Sequence, residues 1–109
     1  MTYVVPERDW KLLRKNFDSY INLMHSKYLE EIKLLINDDS LINRDKTWKI
    51  FDSLKNNFKD LNICTSRLSR SNFMNILAFF YTRGILKNDI DLYSDETKLN
   101  IERTLKIFC

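Results

Sequence analysis

The chain holds one glycine and one proline in 109 residues, where average usage would supply roughly a dozen of the two together. So few turn formers argue against β-sandwiches and barrels, which turn roughly every 8–12 residues. A lone glycine, Gly84, also excludes the phosphate loops G-x-G-x-x-G and G-x-x-x-x-G-K, which Gly84 alone cannot build. Histidine is scarce too: His25 stands alone, with two cysteines, Cys64 and Cys109, far from each other in the chain. Neither C-x-x-C nor H-x-x-x-H occurs, so the convergent ligands of a zinc site are missing, and no metal or cofactor is expected. Two distant cysteines make no disulfide framework for a small secreted domain, and both are expected as free thiols in a reducing compartment. The longest near-continuous apolar stretch, Phe73 to Tyr81 with Asn75 inside it, falls far short of the roughly 20 residues of a membrane span. The N-terminus lacks the basic and apolar regions of a secretory signal. The expected setting is cytoplasmic, with no membrane partner.

What is present is enough apolar material for one core: 44% of the residues are hydrophobic and 13% aromatic. That composition excludes intrinsic disorder, and the length fits a single domain over residues 1–109. The clearest element spans residues 6 to 37. Pro6 suits a first helical turn, and Glu7 and Asp9 place negative charge at the positive end of a helix dipole. Trp10, Leu13, Phe17, Tyr20, Ile21, Met24, Tyr28, Ile32 and Leu35 then recur at three- and four-residue steps, filling an arc of roughly 120° on the helical wheel. A helix of that length would reach about 45 Å.

Asn37-Asp38-Asp39-Ser40 makes the first break, because such residues favour caps and turns. A second helix is expected from near Asn43 to about Lys59, with Trp48, Ile50, Phe51, Leu54 and Phe58 on its apolar face and the stripe continuing into Leu61. Asp60 or Thr65-Ser66 then offers a cap for a third helix that ends at Gly84, a natural residue just past a helix end. Phe73 to Tyr81 is apolar nearly all round, the mark of a central helix touched on several sides. A short helical turn around Ile90 to Tyr93 precedes a last helix that Ser94 caps and that runs to about Phe108. With no alternating strand pattern and short connections, the expected fold is all-α, a compact bundle of about four main helices.

Candidate chemistry is thin. A catalytic cysteine needs a base to form the thiolate and a group to orient that base. No spacing ties His25 to either cysteine, so Cys64 is expected as a small core residue, Cys109 as exposed, and His25 at a surface or boundary position. Asp89, Asp91, Asp95 and Glu96 invite a calcium reading, but an EF-hand counted from Asp89 puts Tyr93 at position 5, Ser94 at position 6 and Asn100 at position 12, where ligands and a glycine are required. Acidic residues at a helix start account for them more simply. The pairs Asp38-Asp39 and Glu30-Glu31 point to different parts of a helix surface and are expected to be solvated. No catalytic residue is assigned, and the chain is expected not to be an enzyme.

Charge carries more information. The net charge is +3, with a pI near 8.9. Between Ser40 and Leu86, eight basic residues against three acidic ones give +5, and Leu61 to Asn88 contains no acid. Arg67 and Arg70, three apart among serines, are expected to be neighbours on one helix face, where arginine forks suit phosphate or carboxylate. With Arg83, Lys46 and Lys49 they form the candidate anion- or partner-binding set. Leu12, Leu23 and Leu34, spaced by eleven, make a narrow second seam on the first helix. Such a seam serves either packing against a second neighbour or a helix-mediated contact with another chain, a copy of itself included.

In size and class such a bundle resembles bacterial accessory proteins such as immunity factors, antitoxins and phage-encoded inhibitors, an analogy of architecture and not of descent. The function expected from these features is a non-enzymatic interaction module that binds another protein. The alternative is a small basic nucleic-acid-binding regulator, whose affinity would fall steeply with salt.

Overall fold

The computed structural model of the chain describes residues 4–65 and 67–108. Its longest element, α1, covers Glu7–Ile36. Pro6 stands at its N-cap and takes the first helical hydrogen bond on its carbonyl from the Trp10 amide at 3.0 Å. At the far end, the Asn37 amide donates to the Lys33 carbonyl, and the Lys46 ammonium closes the Ile36 carbonyl at 2.8 Å. The turn that follows is built on Asp38, whose carboxylate accepts from both the amide and the hydroxyl of Ser40. This local bonding is what makes the Asn37–Ser40 run a break.

The second helix, α2, covers Asn43–Thr65, past the end near Lys59 expected from the sequence. Asp60 is an exposed helical residue rather than a cap. The stripe of Ile50 and Leu54 continues to Leu61, which is buried, and nothing between them breaks a helix. Thr65 donates its hydroxyl back to the Leu61 carbonyl, the bond of a threonine inside a helix and not at its start. The third helix therefore begins later: a 3₁₀ turn at Arg70–Asn72 leads into α3, Phe73–Thr82. Arg67 and Arg70 do not share a helix face. Arg67 lies in the extended connection and Arg70 opens the 3₁₀ turn.

Gly84 ends α3 with a φ of +74°, a conformation that costs glycine little. The Ile85 amide reaches the Phe80 carbonyl at 3.0 Å and the Gly84 amide the Tyr81 carbonyl at 3.1 Å, the paired bonds of a Schellman cap. A second 3₁₀ turn at Ile90–Leu92 precedes α4, Asp95–Phe108. The fold is an all-α single-domain bundle, with no strand among the described residues, and no described helix is long and apolar enough to cross a membrane.

α3 is the centre. Phe73, Ile76, Leu77 and Phe80 have no exposed surface at all, as expected for a helix that is apolar nearly all round. Trp10 meets Phe73 edge-on, and Phe17 and Tyr20 meet Phe80. α4 covers the other side through Ile101. The start of α4 is pinned to the start of α1 by Asp9, which is fully buried. Its carboxylate accepts from the Ser94 amide at 3.1 Å, the Ser94 hydroxyl at 2.6 Å and the Thr97 hydroxyl. Ser94 in turn caps the Thr97 amide, as its position predicts.

Replacing Asp9 by Ala leaves three donors facing an apolar wall, each costing about 1–3 kcal/mol. The expected loss for Asp9→Ala is about 3 kcal/mol or more in urea unfolding. Asp9→Asn, which keeps one acceptor, should lose less.

Candidate functional site

α3 spans ten residues and α1 thirty, so the core can cover only part of the long helix. The molecule measures 53 × 24 × 22 Å. From Leu29 to Asp60 no residue is buried: the end of α1, the turn and the first part of α2 form a two-helix hairpin that reaches beyond the core, which Leu54 still touches.

The two sides of that hairpin differ. On one, Glu31 accepts hydrogen bonds from Ser53 at 3.3 Å and from Asn57 at 3.1 Å, a polar stitch between the helices. On the other, Phe58 packs edge-on against His25 at 5.6 Å and Tyr28 at 6.1 Å. Helical spacing carries this second side outward: His25, Leu29, Ile32 and Ile36 follow one another along α1, and Trp48, Phe51 and Phe58 along α2. Trp48 and Phe51 meet edge-on at 6.1 Å. Leu29, Ile36, Trp48, Phe51 and Phe58 are between 43% and 66% exposed. Taking about 200 Å² for each large side chain in full exposure, these five present roughly 550 Å² of side-chain surface. That is the size of the largest apolar patch on a typical monomer, roughly 300–600 Å², and such a patch is often functional.

The residues singled out from sequence do not gather there. Arg70 forks onto Glu7 with two hydrogen bonds and lies over the Trp10 ring at 5.3 Å. The bonded guanidinium holds the Glu7 carboxyl below its ordinary value. Lys46 and Lys49 stand at the opposite end of α1, about 40 Å away at 1.5 Å per residue. There Lys46 caps Ile36, and both add to the Ser40 hydrogen bonds that lower the pKa of Asp38. Arg83 stacks over Phe79 at 4.6 Å. Lys46 and Lys49 stay together, but Arg70, Arg83 and that pair lie on different elements and do not form one surface. The leucine seam is graded: Leu12 packs on the core, Leu23 is 45% exposed and Leu34 is 74% exposed. His25 is half-buried between two rings. Cys109 and the side chain of Cys64 lie outside the described residues.

The acids of the rejected calcium loop are occupied by protein groups. Asp89 accepts from the Tyr20 hydroxyl at 2.9 Å, and Asp91 and Asp95 face Lys98. Among the described residues no three His, Cys, Asp or Glu are placed to hold a metal ion. Shallow clefts lie among the described residues. One of about 250 Å³ lies between Leu23, Lys27 and Glu30 and the segment after Gly84, and an open one of about 430 Å³ lies around Leu12 and Leu92, edged by Arg8, Lys11 and Lys15. Neither contains a nucleophile paired with a base.

The hairpin face was partly legible in the sequence. Trp48, Phe51 and Phe58 were expected on the apolar side of α2. Ile36 and Leu29 both fell outside the α1 stripe. Their exposure follows from the shortness of α3, which no local pattern in α1 or α2 records.

The chain matches no protein-family model, and neither a curated protein nor a solved structure is similar to it.

The most perturbed groups are buried phenols. Tyr20 and Tyr93 share a hydrogen bond of 3.1 Å. Burial pushes Tyr93 up to about 12 and raises Tyr20 further, from an ordinary 10. The unfolded chain releases these protons from pH 10 upward while the fold retains them, so stability is full below pH 10 and falls as pH rises through about 12. Phenolate absorbance should rise together with loss of helical circular dichroism in that range. Tyr93→Phe should flatten the decline.

Proposed function

We propose that this chain is a non-enzymatic interaction module that binds another protein through the uncovered side of the α1/α2 hairpin. One observation carries the reading: five large apolar side chains lie exposed together on one side of the hairpin, while the other side carries the Glu31 stitch and one exposed leucine, Leu34. Exposure of roughly 550 Å² on one partner corresponds to about 1,100 Å² when matched, above the roughly 1,000 Å² a biological interface needs and in the range of transient complexes. The rigid core around α3 holds the base of the hairpin, so little order has to be acquired on binding. Binding would act by covering a functional surface of the partner or locking its conformation. That is the work of immunity, antitoxin and phage–host conflict proteins of this size, and a cytoplasmic setting suits the two thiols.

The nucleic-acid reading has less behind it. Arg70 is committed to Glu7, and the remaining basic candidates are spread over both ends of the molecule.

The test is stoichiometric capture on the immobilised chain. Leu29→Glu with Phe51→Glu should abolish capture of a protein partner, while urea stability shifts by no more than about 0.5 kcal/mol, as for surface positions. Arg67→Ala with Arg70→Ala should leave capture intact. Retention of nucleic acid instead, lost steeply with salt, would replace this reading with the regulator.

A further inference from the structure

The hairpin face has a charge pattern as well as an apolar one, and together they specify the occupant. On the helical wheel the centre of the face lies between Leu29 and Ile36 on α1 and between Phe51 and Phe58 on α2. Lys33 falls beside it on α1, and Arg44 and Lys55 beside it on α2, all three exposed and none in an ion pair among the described residues. Carboxylates stand farther out than these cations. Glu31 is turned to the opposite side by its bonds to Ser53 and Asn57, and Glu30, Asp45 and Asp52 lie more than about 100° from the centre at 100° per residue. The result is an apolar face whose nearest flanking charges are cations, with Asp52 one step beyond Trp48 and Asp38 and Asp39 at the turn.

Length adds a second constraint. His25 to Ile36 and Trp48 to Phe58 each rise about 15 Å, or three helical turns. Two parallel ridges over three turns form the groove into which an amphipathic helix lays apolar residues spaced i, i+3 or i+4, and i+7.

We propose that this groove takes an amphipathic α-helix of a partner protein, with acidic residues flanking its apolar stripe. The proposal rests on the hairpin being the docking surface, as above, and names what docks. A second copy of the chain fits the area but not the charge. A two-fold contact sets each patch against itself, bringing the Lys33, Arg44 and Lys55 rim of one copy against the same cationic rim of the other, and like charges across an interface oppose association. An acidic helix meets the same rim with opposite charge and keeps the apolar centre dry.

Two synthetic helical peptides with the same leucine stripe, one flanked by Glu and one by Lys, test this directly. Binding is followed by calorimetry and by the emission of Trp48, which is 60% exposed whereas Trp10 is 8% exposed. The Glu peptide should bind about tenfold more tightly at low salt, as three partly exposed ion pairs allow. The advantage should shrink as salt rises. Lys33→Glu with Lys55→Glu should reverse the preference, and Phe51→Ser should weaken both peptides while circular dichroism stays unchanged. Equal binding of the two peptides, with reversal absent, overturns the acidic class but leaves the hairpin as a docking surface. No binding of either peptide, with partner capture still dependent on Leu29 and Phe51, overturns the helical occupant. A doubling of molar mass that Phe51→Ser abolishes replaces it with a second copy. Binding of a single-stranded oligonucleotide through Lys33 and Lys55, with no peptide bound, overturns both the occupant and the docking surface as read here.

Discussion

A ten-residue helix cannot cover a thirty-residue one, and most of this molecule follows from that mismatch. α3 is apolar over most of its surface, with Asn75, Tyr81 and Thr82 exposed, and takes the centre because only there can its apolar faces leave water. α1, α2 and α4 surround it, but α1 and α2 are far longer than their shared partner. Beyond Tyr28 the pair must continue with only each other for company. Two helices in contact bury one stripe each, so the apolar residues to one side of that stripe stay in water. The uncovered face is therefore a consequence of element lengths.

The polar interior is organised around the same end of the molecule. Asp9 enters α1 where an acidic residue suits the helix dipole, yet its carboxylate is turned inward and bonded to the start of α4. The sequence pattern explains its position in α1 but not its partner, which lies 85 residues away in the chain. Tyr20, Tyr93 and Asp89 form a comparable link between α1 and the segment before α4. Such bonded networks hold the core end in one arrangement, because each buried donor or acceptor has a definite mate. The hairpin end has little of this, apart from the Glu31 stitch and the cap of Lys46 on Ile36.

Charge tells a similar story at the surface. The excess of basic residues between Ser40 and Leu86 is real in composition, but the fold distributes it. Arg70 neutralises Glu7, Arg83 lies on Phe79, and Lys46 closes a helix end. What matters for recognition is the subset that shares a side with exposed apolar groups. Those residues, Lys33, Arg44 and Lys55, are unremarkable in the linear sequence because they stand out only when the two helices are placed side by side.

The sequence by itself determined that the protein is helical, where most helices start and stop, and which helix is central. Pro6, Gly84 and Ser94 act through their own backbone and side-chain geometry, and a segment apolar nearly all round has only one place to go. The boundary between α2 and α3 was not local in this way. Asp60 and Thr65 are both able to cap, and burial of Leu61 decided that α2 continues through them. Tertiary structure alone decided that Asp9 pins α4, that Arg67 and Arg70 part company, and that Trp48, Phe51 and Phe58 face water. Periodicity shows which side of a helix is apolar, but whether that side is covered depends on what lies opposite, and the partner is chosen by lengths and contacts across the whole chain.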